Sequence, residues 1–178
     1  GDISQQISLA GTEASGTSNM KFMITGAVTL GTLDGANVEI HDVVGDDNMV
    51  LFGMTTPEVE NLKATGYHPD QIYQNNATVR KSIDFLRNGL NGVDFGNIVR
   101  SLTTQDPYMV LADFDSYQKA QKHAVDLYGD QTNWQKMCVT NIANAGIFSA
   151  DRAIHDYATK IWHCKPVPNL RAPESQNA

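Results

Sequence analysis

A succession of helical patterns in the last third of the chain constrains the fold most strongly. Over residues 115–128, apolar residues recur at intervals of three and four, which is the period of an amphipathic helix. This stripe consists of Tyr117, Ala120, Ala124 and Leu127. Asp115 or Ser116 is the expected N-cap. Two further helices are predicted over 133–145 and 149–162, and Ser149 is expected to cap the second.

The earlier part of the chain contains short apolar runs that favour strands. Segments 28–33 and 38–40 lie on either side of the sequence Asp34-Gly35-Ala36-Asn37, which is predicted to form a turn between two strands. A third strand is expected over 49–52. Helices are predicted over 57–64, 78–88 and 95–102, and an extended segment over 107–114. A few short strands followed mostly by helices indicate an α/β fold.

Composition narrows the class of protein. The 178 residues suggest one domain, and 41% hydrophobic with 19% charged residues is not the composition of a disordered chain. The two cysteines, Cys138 and Cys164, form no CxxC pair and lie near no histidine cluster, so no metal or disulfide scaffold is expected and a reducing, cytoplasmic compartment is favoured. A net charge of −7 makes nucleic acid or an anionic membrane a poor partner.

The charge is distributed unevenly along the chain. Residues 1–79 carry ten acidic and two basic residues, a net charge of −8, whereas residues 80–178 carry a net charge of +1. Lys21 is the only lysine or arginine among the first 62 residues. A single cation in a segment of small polar residues therefore needs an explanation.

Residues 11–21, GTEASGTSNMK, combine a glycine-rich loop with the start of a predicted helix, for which Thr17 or Ser18 is the N-cap. Free backbone N–H groups at a helix start favour anions, and Thr17 and Lys21 lie one turn apart on one helix face. A hydroxyl and an amine in this arrangement suit a small molecule with a phosphate at one end and an aldehyde at the other, such as pyridoxal phosphate. Apolar neighbours, Phe22 and Met23 among them, are expected to favour the neutral amine that forms a Schiff base.

Two other interpretations of this segment compete with cofactor binding: a solvated surface lysine, which remains open, and a P-loop, which is disfavoured. A lysine that follows a glycine-rich helix start is more often a solvated surface residue, and chemistry alone does not exclude that. The spacing of Gly11 and Gly16 also resembles a P-loop, but the lysine required directly after the second glycine is missing. Walker-type nucleotide binding is therefore disfavoured.

Residues 8–40, SLAGTEASGTSNMKFMITGAVTLGTLDGANVEI, resemble the cofactor-lysine signature of the glycogen, starch and maltodextrin phosphorylases. The resemblance continues through 48–53, 106–117 and 149–162, so it covers nearly the whole chain. It implies an enzyme that cleaves terminal α-1,4 glucosidic bonds with inorganic phosphate and releases glucose 1-phosphate with retained configuration.

The resemblance also implies the fold and the extent of the chain. The family has two Rossmann-like domains facing each other across a cleft, a glycosyltransferase-B type of fold. Residues 1–165 are expected to be the last part of the C-terminal, cofactor-binding domain, with a short parallel sheet and C-terminal helices, and residues 166–178 a flexible tail. The chain starts at Gly1 without a methionine, so we expect a piece of a longer polypeptide. The resemblance implies that this parent protein forms a homodimer.

The resemblance assigns cofactor roles to three residues. Lys21 matches the lysine that holds pyridoxal phosphate as a Schiff base, and Thr17 and the backbone of Ser18 match positions that hold the cofactor phosphate. In this family the cofactor phosphate works beside the substrate phosphate as a proton donor and acceptor or electrostatic partner. Some members have glycine where this chain has Ser18, which still offers its N–H.

Sugar-binding roles are implied for three more residues. Glu13 matches the carboxylate that hydrogen-bonds hydroxyls of the glucosyl unit, and Ser15 and Gly16 approach the same sugar through the backbone. A carboxylate can orient neighbouring hydroxyls, and a glycine lets the backbone approach closely. The signature residues Asp34, Gly35 and Asn37 are expected to shape a tight turn beside the cofactor rather than to act in catalysis.

Two alternative functions remain open at this stage. The chain could be a non-catalytic pyridoxal phosphate-binding or assembly module, or part of another pyridoxal phosphate enzyme such as an aminotransferase. Against the latter, no pattern supplies an Asp for the pyridine nitrogen and an Arg for a substrate carboxylate. One lysine among nine acidic residues up to Glu60 does not suffice to hold two phosphates, so the chain alone is expected to be inactive.

Overall fold

A three-stranded parallel sheet organises the first part of the chain. The computed structural model describes residues 1–165, and the expected tail at 166–178 lies outside them. The sheet consists of β1 (Ile3–Gln6), β2 (Val28–Gly31) and β3 (Val50–Leu51), in the order β1-β2-β3. Helix α1 (Ser18–Ile24) joins β1 to β2, and α2 (Ala36–Val44) joins β2 to β3. The expected α/β class with a short parallel sheet is confirmed, as for part of a Rossmann-like domain.

Seven further helices follow the sheet in the part of the chain that the structure describes. They are α3 (Thr56–Thr65), α4 (Pro69–Asn75), α5 (Ala77–Arg87), α6 (Gly96–Thr104), α7 (Val110–Gly129), α8 (Gln131–Asn144) and α9 (Ala150–Asp156). A π-helical turn, Tyr157–Ile161, follows α9. Residues 1–145 form one compact unit, and the described residues from Gly146 to 165 belong to a second.

The core of the first unit lies between the sheet and the long helices α7 and α8. Strand β2 is buried at all four positions, as expected for a strand with neighbours on both sides. Its side chains pack with residues of both helices in one apolar cluster. This cluster contains Val28, Leu30, Val50, Ala120, Ala124, Trp134 and Met137. It anchors the strand ends that lead into the loops described below.

Replacement of Leu30 by Ala is expected to lower the free energy of unfolding by about 2–5 kcal/mol, because Leu30 is fully buried and its removal leaves a cavity. Urea unfolding followed by circular dichroism measures this effect. Leu90→Ala is the matched control, since the same side chain is 47% exposed there and its removal should cost less than about 1 kcal/mol. Equal losses for both variants would contradict the assignment of the core.

Most of the predicted helices are confirmed, with ends shifted by a few residues. The side chain of Ser149 accepts a hydrogen bond from the Arg152 N–H, so the predicted cap of α9 is correct, although the α-helix ends earlier than 162. The side chain of Asn76 caps α5 in the same way. Helix α4 is not among the helices predicted from the sequence.

The strand expected over 38–40 is wrong, because these residues belong to α2. Ala36, Ile40 and Val44 are spaced four apart and all are buried, whereas Val38 is 41% exposed. The apolar residues therefore follow the period of a helix. Gly35 at the N-cap position starts that helix, so the predicted turn leads into a helix and not into a second strand.

The extended segment expected over 107–114 is also wrong, since α7 begins at Val110. The carboxylate of Asp106 accepts hydrogen bonds from the backbone N–H groups of Val110 and Leu111 at the start of this helix. Asp106 is buried and also accepts a hydrogen bond from the hydroxyl of Tyr67. Burial and this hydrogen bond raise the pKa of Tyr67, so the hydroxyl remains a donor.

Asp115 and Ser116, the expected caps, consequently lie inside α7. The hydroxyl of Ser116 accepts a hydrogen bond from the N–H of Gly53, and the carboxylate of Asp115 accepts one from the side chain of Asn76. Both side chains connect α7 to other elements of the first unit.

Candidate functional site

A polar cleft of about 320 Å³ lies at the carboxyl ends of β1 and β2. The loops that leave these two strands form its walls, together with the start of α1. Ligands of parallel α/β sheets bind in this position, beyond the carboxyl ends of the strands. The lining residues include Gln6, Ser8, Glu13, Gly16, Thr17, Ser18, Asn19, Asp34 and Asn37.

The loop that follows β1 is shaped by glycines at positions that disfavour other residues. Gly11 and Gly16 have φ values of +84° and +88°, in the left-handed region that glycine adopts without strain. The stretch between them contains Glu13 and Ser15, and we call residues 11–16 the glycine loop. Both of its ends are thus fixed in conformations that bring its backbone towards the end of β2.

Asp34 fixes the glycine loop to the segment that follows β2. One carboxylate oxygen accepts a hydrogen bond from the N–H of Gly11 and the other from the N–H of Glu13, both at 2.9 Å. Burial alone would raise the pKa of Asp34, but hydrogen bonding from the backbone of Glu13, the side chain of Ser8 and the backbone of Gly11 and Thr12 together outweighs burial and holds the pKa below its usual value. Asp34 is therefore an anion that holds the glycine loop by accepting hydrogen bonds from two of its backbone N–H groups.

A second set of buried polar contacts connects α1 to α2. The side-chain amide of Asn37 donates to the carbonyl of Thr32, and its oxygen accepts from the amide of Asn19 at 3.0 Å. The oxygen of Asn19 in turn accepts a hydrogen bond from the N–H of Met20. Asn19 and Asn37 are both almost fully buried. The start of the helix that carries Lys21 is thus held against the end of β2 by satisfied polar groups.

The structure brings four of the six predicted site residues to one cleft. Glu13, Gly16, Thr17 and Ser18 line it. Ser15 does not, although its carbonyl accepts a hydrogen bond from the N–H of Ala36. Lys21 lies on α1 and is not among the lining residues.

The surroundings expected for Lys21 differ from those in the structure. Met23 is fully buried, but Lys21 and Phe22 are exposed. Within residues 1–165, the apolar environment that was predicted to favour a neutral amine is therefore absent, and that expectation is wrong. The spacing of Thr17 and Lys21, one helical turn apart, still places the hydroxyl and the amine on the same side of α1.

The donor groups at the start of α1 fit pyridoxal phosphate. Thr17 occupies the N-cap position without a side-chain cap bond, and the first N–H groups of a helix have no partner within it. The exposed hydroxyl of Thr17 adds a donor for a phosphate group, whereas the hydroxyl of Ser18 already donates to the side chain of Gln6. The amine of Lys21, exposed on the same helix, is accessible to an aldehyde.

Asn19 is a site residue that sequence reasoning missed. The sequence indicates only a polar residue at the start of the predicted helix, whereas its side chain forms the buried link between α1 and α2. Gln6 was missed as well, and its side-chain oxygen accepts a hydrogen bond from the hydroxyl of Ser18 at 3.3 Å. The available signal was a polar residue at the boundary of an apolar run. The structure buries and pairs Asn19, whereas Gln6 is only half-buried.

Two further features of the described residues limit the kinds of site. Across residues 1–165, no three His, Cys, Asp or Glu side chains come close enough together to hold a metal ion. None of the helices in the same residues combines the length and apolar character needed to cross a membrane.

Parallel strands with a polar cleft at their carboxyl ends define an α/β protein with a ligand site of the Rossmann type. A sequence model of the carbohydrate phosphorylase family matches residues 1–164. The chain belongs to this family.

Individual relatives agree with the family match. The chain is 49% identical to glycogen phosphorylases of Synechocystis and of Pasteurella multocida over 170 residues, which is 93% of this chain. It is 42% identical over 180 residues, 98% of this chain, to the muscle form of glycogen phosphorylase from Ovis aries. The match covers 20–21% of these relatives, so the chain spans about a fifth of their length.

Proposed function

We propose that the chain is the cofactor-binding part of an α-1,4-glucan phosphorylase, which transfers the terminal glucosyl unit of glycogen, starch or maltodextrin to inorganic phosphate. The reaction releases glucose 1-phosphate with retained configuration. The match of residues 1–164 to the carbohydrate phosphorylase family carries this proposal. The parent protein is a cytoplasmic homodimer in this proposal, and its remaining chain completes the site.

In the proposed site, Lys21 holds pyridoxal phosphate covalently through its amine. Thr17 and the backbone N–H of Ser18 bind the cofactor phosphate at the start of α1. When bound, the cofactor supplies a phosphate group that acts beside the substrate phosphate as a proton donor and acceptor or as an electrostatic partner. The exposure of Thr17, Ser18 and Lys21 supports this assignment, because all three are accessible to a ligand.

Glu13 and the glycine loop bind the sugar in the proposed site. The carboxylate of Glu13 accepts hydrogen bonds from hydroxyls of the glucosyl unit, and the backbone of Ser15 and Gly16 approaches the same ring. The position of Glu13 and Gly16 on the cleft wall supports this arrangement. Hydrogen bonds that fix the sugar ring lower the barrier by orientation, since the anomeric carbon is then presented to the phosphate.

The negative charge of the cleft supports the proposal that the rest of the parent polypeptide is needed for activity. In the described part of the protein, the residues that line the cleft include Glu13 and Asp34 but no lysine or arginine. Two phosphate dianions beside two carboxylates require cations, because like charges repel strongly at short range. The basic groups that hold the substrate phosphate therefore come from the rest of the parent in this proposal, and the 178 residues alone are inactive.

An activity comparison tests the proposal. The full-length parent with pyridoxal phosphate should form α-glucose 1-phosphate from a glucan and phosphate, and should not transfer amino groups between amino acids and keto acids. The 178-residue chain alone should form none. Amino transfer by the parent would favour the other class of pyridoxal phosphate enzyme, and cofactor binding without either reaction would indicate a binding module.

A further inference from the structure

The turn formed by Asp34 and Gly35 contacts the glycine loop on both sides of Glu13. Asp34 is only 6% exposed, and its two oxygens accept from the N–H groups of Gly11 and Glu13. A buried carboxylate is costly unless it is hydrogen-bonded, so these two contacts are held strongly. The backbone of Glu13 is thereby fixed relative to the end of β2.

Gly35 packs closely against the side chain of Glu13. A β-carbon at position 35 would lie 2.8 Å from Cγ of Glu13 and would also meet the carbonyl oxygen of Ser15. The φ of Gly35 is +52°, which further favours glycine. The next N–H, that of Ala36, donates to the same Ser15 carbonyl. The turn therefore contacts Glu13 at the backbone through Asp34 and at the side chain through Gly35.

We infer that the Asp34–Gly35 turn positions Glu13: it fixes the backbone and Cγ of Glu13 so that the carboxylate faces the cleft in one orientation for sugar hydroxyls. This inference rests on the proposed function, which gives Glu13 its role towards the sugar. Asp34 lines the cleft, but both of its carboxylate oxygens already accept hydrogen bonds from N–H groups of the glycine loop. Asp34 acts through Glu13, and its negative charge strengthens the hydrogen bonds that it accepts from the N–H groups of Gly11 and Glu13.

A double-mutant cycle in the full-length, cofactor-loaded parent tests the inference. The four proteins are the wild type, Asp34→Asn, Glu13→Gln and the double variant. Asp34→Asn removes the charge and turns an amide group towards one backbone N–H, so it should lower kcat/KM for phosphorolysis of a maltooligosaccharide roughly 10- to 100-fold. In the Glu13→Gln protein the same change should lower kcat/KM less than about 3-fold, because the carboxylate to be positioned is already gone.

Asp106→Asn is the matched control. Asp106 is also buried and also accepts hydrogen bonds from two backbone N–H groups, those of Val110 and Leu111, but it lies outside the residues that line the cleft. It should lower the thermal stability of the parent and change kcat/KM by the same factor in the wild type and in the Glu13→Gln protein. The cofactor absorbance should stay unchanged in Asp34→Asn, since the contacts of Lys21 and Thr17 are not altered.

Gly35→Ala is a second variant, and it leaves the buried charge of Asp34 intact. If Asp34→Asn does not fold, the loss of kcat/KM caused by Gly35→Ala is compared in the wild-type and Glu13→Gln proteins in the same way. An equal loss of kcat/KM in the wild-type and Glu13→Gln backgrounds would overturn the inference alone, because the turn would then act independently of the Glu13 carboxylate. A wild-type parent that does not carry out phosphorolysis would overturn the proposed function itself, and the inference with it.

Discussion

Replacement of Lys21 by Ala in the full-length parent is expected to remove the Schiff-base absorbance and to lower phosphorolysis by at least about 100-fold. Without the amine the cofactor has no covalent link, and its binding becomes an ordinary association that dilution reverses. The absorbance spectrum and the rate of glucose 1-phosphate formation measure the two effects. Lys63→Ala is the control, since Lys63 is an exposed lysine on α3, away from the cleft, and should change neither.

Added pyridoxal phosphate with a small amine should restore part of the activity of Lys21→Ala. In the proposed site the working group is the phosphate of the cofactor, so the lysine serves as an anchor. In an aminotransferase the lysine also moves protons, and cofactor binding alone would restore much less. Normal absorbance and normal phosphorolysis in Lys21→Ala would show that the segment has been assigned wrongly.

The helices could be predicted because their signals are local. The stripe that contains Ala120 and Ala124 has the helical period, and both residues are buried in α7. The cap at Ser149 requires only its own hydroxyl and an N–H three residues further on. Such signals involve neighbouring residues, so they are visible without knowledge of tertiary structure.

Two of the errors in secondary structure, the strand over 38–40 and the extended segment over 107–114, have tertiary causes. Val38 and Ile40 have side chains that favour strands, but the burial of Ala36, Ile40 and Val44 on one face stabilises a helix there. The start of α7 at Val110 depends on Asp106, which is buried together with Tyr67 from 39 residues earlier in the chain. No local pattern indicates that such a carboxylate is placed to accept the first N–H groups of the helix.

The residues of the cleft wall could be grouped from the sequence only where they are adjacent in it. Glu13, Gly16, Thr17 and Ser18 belong to one segment, and the structure places them along one cleft. The contacts that shape this segment join residues that are distant in sequence, such as Gly11 and Asp34, which are 23 positions apart. The sequence left open whether Lys21 is solvated or lies among apolar side chains, because this depends on which elements pack beside α1.

Replacement of Glu13 by Gln in the parent separates sugar binding from cofactor binding. Glutamine keeps the shape of the side chain and the backbone N–H that donates to Asp34, so the glycine loop should remain in place. The charge is lost, and a hydrogen bond from a sugar hydroxyl to a carboxylate becomes one to a neutral amide. The cofactor absorbance should therefore be that of the wild type, in contrast to Lys21→Ala.

The expected loss in Glu13→Gln is about 1–3 kcal/mol of transition-state binding, or roughly a 5- to 150-fold decrease in kcat/KM. Steady-state kinetics with a maltooligosaccharide and phosphate measure it. Glu60→Gln is the control, because Glu60 is an exposed acid on α3 and should leave kcat/KM unchanged. An unchanged kcat/KM in Glu13→Gln would exclude a role for this carboxylate in sugar recognition, since the charged hydrogen bond would then contribute nothing to the transition state.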